Sequence, residues 1–208
     1  MSELIDDFNP GDLLYGETCD REKYLSQLDR KFSPPGLKLP EFAPRPAAPV
    51  TIDRLASYAV EQGLKNRKTL SDVKSENPDL PAEAQKFYEY AQKSRFAGKL
   101  ININTTNQTK TGLDKGKPLT KPFLRSKCKA GIEFVVEQGY KVRFVLDSLT
   151  EARLKSIFNK ELDQPWYTGS ELRSIYKHRK TFADRVVFYR SGSRCQAPWE
   201  EYPSIIPK

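Results

Sequence analysis

YKVRFVLDSL, residues 140–149, is the stretch that decides the class of this chain. Successive side chains alternate across an extended backbone. Val142, Phe144 and Leu146 therefore face one way, and Lys141, Arg143 and Val145 the other. The stretch reads as a strand with one well-buried face. DRVVFYRSG, residues 184–192, reads as a second strand, closed by a Ser-Gly-Ser turn. Two short helical patterns lie between them. Thr150 opens the first, with Leu154, Ile157 and Phe158 turned inward. TGSELRSIYKHR, residues 168–179, supplies the second, with Leu172, Ile175, Tyr176 and Arg179 on one side. Strands separated by helices can pair in parallel through a right-handed crossover. The expected class is α+β, a small mixed domain with helices packed on a short sheet; small α/β is the alternative.

Upstream, Phe123 begins a helical pattern, with Leu124, Cys128, Ile132, Val135 and Val136 on one face and Gly139 as its stop. Before it, Leu100, Ile101 and Ile103 suit a short strand. An exposed loop of lysine, threonine, asparagine and glycine follows them, long for a compact domain. A helix over Pro81–Ala91 buries Ala84, Phe87, Tyr88 and Ala91. In TIDRLASYAVEQG, residues 51–63, Ile52, Leu55, Ala56, Ala59 and Val60 form one stripe, with Thr51 as its cap and Gly63 as its end. Residues 32–50 hold six prolines, which fix φ and lack an amide donor, so they read as an extended linker. Ahead of it CDREKYLSQLDRKF suits a short helix that docks or stays free. The organisation expected is a disordered or extended leader over 1–50 and a single basic α+β domain over 51–208. The PWEEYPSIIP tail is expected to pack Trp199 onto that body.

The chain is polar and carries a formal net charge of +8. Residues 1–50 carry 6 basic and 9 acidic side chains, and the rest 29 and 18. Residues 93–129 hold ten cations against Asp114 alone. A field of that sign attracts nucleic acid, phosphorylated ligands or an acidic protein partner. Lys110, Lys115, Lys117, Lys121, Arg125 and Lys127 are its candidate binding side chains, interleaved with neutral donors that suit phosphate contacts. A solvated surface is the plain alternative. No apolar run is long enough to span a bilayer, and the acidic start lacks the order of a secretory signal. Three scattered cysteines indicate free thiols in a reducing compartment, with Cys128 a buried one. The expected location is a cytoplasm, either the producing cell's own or a target cell's, reached by a route without a cleavable signal peptide.

Phosphate-loop, dinucleotide, zinc-hydrolase, zinc-deaminase and serine-elbow patterns are all absent, so neither a metal nor a cofactor is expected. Thr168 and Glu171 have the spacing of a capping box, which gives Glu171 a structural role. His178, the only histidine, falls in the last turn beside three cations, where positive charge complements the helix end. Arg173 sits near the amino end of the same helix, against that preference, and can hold a carboxylate or phosphate. Asp147 ends a strand, a position that lines sites in α/β sheets and equally starts turns. The catalytic candidates are Asp147, Glu171 and His178, with Ser170 and Arg173 as ligand-binding partners.

The words KVRFVLDSL, GSELRSIYKHR, RVVFYRSG and PWEE, spread over residues 123–201, resemble a pattern near the ends of uncharacterised bacterial secreted effectors and toxin-like proteins. The resemblance implies a bacterial protein delivered into another cell and transfers no reaction. Three functions remain in competition: an effector that engages a phosphorylated or nucleic-acid ligand, a non-enzymatic nucleic-acid-binding module, and an interaction or inhibitor domain for an acidic partner.

Overall fold

A five-stranded mixed sheet organises the first of two compact units. The computed structural model describes residues 2–32, 50–100, 121–161 and 167–207. The sheet unit comprises Met1–Thr51 and Val135–Lys208, and the helical unit Ile52–Phe134. The class is α+β.

The strands are β1 (Leu13–Gly16), β2 (Val50–Thr51), β3 (Val142–Val145), β4 (Val186–Arg190) and β5 (Ser193–Cys195), in the order β2-β1-β3-β4-β5. The first four are mutually parallel, and β5 returns antiparallel through the turn at 191–192. The parallel β3–β4 pair and its helical crossover follow the expectation from sequence.

Both faces of the sheet are covered. On one, α1 (Glu3–Asp7) and α2 (Thr18–Phe32) bring Leu4, Phe8, Tyr24 and Leu28 onto Leu14, Val145, Val187 and Tyr189. On the other, Tyr15, Phe144 and Phe188 stack in series at 5.4 and 5.8 Å between centroids. Trp199, in α12 (Pro198–Glu201), extends the series to Phe188 at 5.5 Å. It also meets Phe158 of α9 (Glu151–Asn159) and Tyr176 of α10 (Tyr167–Lys177). Trp199 thus packs as expected. Burying each such ring contributes roughly 1.5–3 kcal/mol. All four residues of β3 are buried, so the strand has two covered faces rather than one. Arg143 is accommodated there because each of its three guanidinium nitrogens donates a hydrogen bond. It donates to Asp12 Oδ2 at 2.9 Å, to the Asp7 carbonyl at 2.6 Å, and to the Tyr189 hydroxyl.

The leader expectation fails for residues 3–32. They supply α1, α2 and a strand paired on both edges. The signal was weak because LLYG contains no β-branched residue, whereas the equally short and equally buried β3 has two valines. Gly16 also has a special role: its φ is +130°, and a Cβ there would stand 2.6 Å from the Val145 carbonyl oxygen. The proline stretch at 33–49 lies outside the described residues.

The helical unit contains α3 (Ile52–Leu55), α4 (Tyr58–Lys65), α5 (Leu70–Glu76), α6 (Ala82–Lys93), α7 (Ala97–Leu100) and α8, which runs Lys121–Glu137 and ends in the sheet unit. The single helix expected over 51–63 is two helices broken at Ala56–Ser57, and Thr51 belongs to β2. Gly63 does not end a helix. It sits inside α4, where a Cβ would come within 2.5 Å of Val73 Cγ2 and 2.8 Å of Tyr88 Cε2. The close approach of these two side chains, not a turn, explains the glycine. Leu100 is helical rather than extended; Ile101, Ile103 and the long basic loop lie outside the described residues. Phe87 packs edge-on to Phe134 at 5.7 Å. Cys128 is buried in α8 as expected.

Thr150 caps α9, accepting from the Arg153 amide at 3.4 Å. The capping box proposed at Thr168 is not formed, because α10 starts one residue earlier and places Thr168 inside the helix. The observed box is Thr69 with Asp72, at the start of α5.

Candidate functional site

The strand order reverses direction between β1 and β3. From β1 the chain goes to β2 on one side, and later returns to place β3 on the other. The helices after these two strands, α2 and α9, belong to opposite faces, the arrangement that in open α/β sheets places ligand sites at the carboxyl ends of the strands. The segments leaving β1 and β3 bring Glu17, Asp20, Lys23, Asp147, Ser148 and Arg153 to this edge.

Three carboxylates sit inward and are saturated with donors. Asp20 has no exposed surface and accepts from the Ser148 amide at 2.9 Å and hydroxyl at 2.7 Å. Glu17 accepts from Arg153 Nη2 at 2.9 and 3.1 Å, and from the Ser148 hydroxyl at 3.2 Å. Asp147 accepts from the Tyr24 hydroxyl at 2.9 Å and from the Ser191 amide at 2.7 Å. The cations paired with them point outward. Lys23 Nζ stands 3.5 Å from both Asp20 and Asp147; its side chain is 56% exposed, against 1% and 9% for those carboxylates. Arg153 is 27% exposed, against 12% for Glu17. Removing solvent from Lys23 lowers its pKa, and the charges of Asp147 and Asp20 more than reverse that, so the ammonium lies above its ordinary value. Burial and the hydrogen bond to Asp147 together push the Tyr24 phenol well up, so it stays a donor.

Of the described residues singled out from sequence, only Asp147 belongs to this edge. Its bonds run to α2 and the β4–β5 turn, none to α10. Ser170 and Glu171 are buried in α10, Glu171 completely, with no surface for a ligand. Arg173 donates to the Ile157 carbonyl and so ties α10 to the end of α9. Its off-dipole position has a backbone partner as its reason. His178 follows α10, half-buried, with its ring 5.8 Å from Phe182. Seven positions separate it from Glu171, roughly 10 Å along a helix.

Lys110, Lys115 and Lys117 lie outside the described residues, as does the side chain of Lys121, the first residue of α8. Lys127 is buried and paired with Glu61, so it serves the helical core rather than a ligand. Arg125 is half-buried, and its Nε has no partner among the described residues.

Glu17, Asp20, Ser148 and Arg153 escaped the sequence reading because they meet only through β1–β3 pairing, more than a hundred positions apart. The available signal was the polar run directly after LLYG, which needed LLYG to be read as a strand. Among the described residues no group of histidine, cysteine or acidic side chains could hold a metal ion, and no helix is long and apolar enough to cross a membrane. No family model, curated protein or solved structure matches the chain.

Proposed function

We propose that this chain is an effector- or toxin-like protein that engages a phosphorylated ligand at the carboxyl edge of its parallel strands. One observation carries the reading: buried carboxylates hold Lys23 and Arg153 with their charges outward at the point where strand order reverses. Parallel sheets bind ligands at that edge, and exposed cations fixed by buried acids meet an arriving anion already oriented. Inorganic pyrophosphate, titrated by calorimetry at low salt, tests it. Lys23→Gln should weaken binding about tenfold, as should Arg153→Lys, which keeps the charge and loses the fork. Unchanged affinity in both variants would remove the site.

Charge partition favours a second reading, capture of a nucleic-acid strand by the helical unit. That unit carries sixteen basic and nine acidic side chains, a net +7, against nineteen and eighteen in the sheet unit. Here affinity for a duplex oligonucleotide falls steeply with salt, and Lys93→Gln with Lys99→Gln reduces the slope by about one per lost phosphate contact. A flat salt dependence would exclude it.

A further inference from the structure

A cleft of about 830 Å³ opens in the sheet unit between α10, α11 (Arg179–Phe182), the β4–β5 hairpin and α12. That volume suits a small organic molecule. Its apolar lining includes Ile175, Phe182 and Phe188, all buried, and the half-buried indole of Trp199. The indole is braced edge-on by Phe188 at 5.5 Å and, in a tilted arrangement, by Tyr176 at 5.2 Å. An aromatic body entering the cleft thus meets a fixed ring surface.

Three cations also line the cleft: Arg179, Lys180 and Arg194. Arg179 is held over Tyr176, its guanidinium 4.2 Å from the ring centre and its Nη1 donating to the Tyr176 carbonyl at 2.8 Å. Lys180 and Arg194 are exposed, and neither side chain has an ion-pair partner among the described residues. Asp184 and Glu200 share the lining, so three positive charges face two negative ones. That balance favours a single negative charge and disfavours a polyphosphate, unlike the edge near Lys23.

We infer that this cleft binds a small aromatic monoanion, its ring against Trp199 and its carboxylate between Lys180 and Arg194. None of these residues takes part in the proposed pyrophosphate site, so the two ligands bind independently.

Naphthalene-2-carboxylate is the probe, with neutral naphthalene-2-carboxamide as its isostere, titrated into the full chain by calorimetry. The indole resonance of Trp199 is followed in parallel. The carboxylate should shift that resonance and bind about tenfold more tightly than the carboxamide. Arg194→Gln and Lys180→Gln, both at exposed positions, should erase most of that difference, whereas Lys23→Gln should leave it intact. Equal affinity for the two probes, an unmoved Trp199 resonance, or full carboxylate affinity in the doubly substituted chain would each overturn the inference.

Discussion

The sheet unit and the helical unit solve the same problem with different means. The sheet unit is nearly neutral and places charge inside itself. Arg143, Asp12 and Asp20 are all buried, each satisfied by partners distant in sequence. The helical unit carries nearly all of the net charge, and its described polar contacts are mostly local or near the surface. Thr69 and Asp72 are three residues apart, and the partners Lys68 and Glu76 lie only eight apart. The lesson concerns cost. An internal charge is held safely only when several elements converge on it, and a parallel sheet provides that convergence. A set of short helices keeps most of its charge outside and so acquires a field.

The contrast breaks most visibly at Arg143. Arg143→Met leaves Asp12 buried beside an apolar chain and should destabilise the sheet unit by about 3–5 kcal/mol. Urea unfolding followed by amide exchange reads this out, with protection falling in β1, β3 and β4 and persisting in α6. If α6 loses protection equally, the units are not energetically separate. The matching change in the helical unit is smaller. Thr69→Ala removes the hydroxyl that accepts from the Asp72 amide, while the backbone N–H at 69 keeps its bond to the Asp72 carboxylate, and should cost about 1 kcal/mol, with exchange rising at the start of α5. A larger, global loss would show that the box does more than end a helix.

The smallest effect at neutral pH concerns Tyr88, fully buried, whose hydroxyl donates to the Lys68 carbonyl at 2.7 Å. Burial pushes its pKa up to about 12, with the charge of Asp72 adding to the rise. The folded value exceeds the unfolded one near 10, so the neutral phenol favours the folded state. That stability is complete below pH 10 and drains as pH climbs through 12. In Tyr88→Phe this loss between pH 10 and 12 should be shallower, checked by thermal unfolding at stepped pH. Identical alkaline profiles would assign the loss to other groups.

How much was legible follows the same division. β3 and β4 announced themselves through β-branched and aromatic content, and Thr150 marked its helix correctly. LLYG did not, because, unlike the equally short and equally buried β3, it contains no β-branched residue. Its last residue, Gly16, answers to the Val145 carbonyl across the sheet. At the candidate site, Asp147 was readable from its place at a strand end. Its companions were not, since Glu17 and Asp20 acquire meaning only from Ser148, 131 and 128 residues downstream. Around Thr168, local spacing suggested a cap where tertiary packing had already begun the helix.

That separation reaches beyond the finished molecule to its synthesis. At roughly 5–20 residues per second a ribosome takes on the order of 10 s to make the chain between β1 and β3. Throughout that interval the nascent β1 lacks its β3 neighbour, while the intervening helices can already close up. A chaperone that shields this early segment, or a codon change that lengthens the delay, would act on the yield of folded protein while leaving its stability untouched.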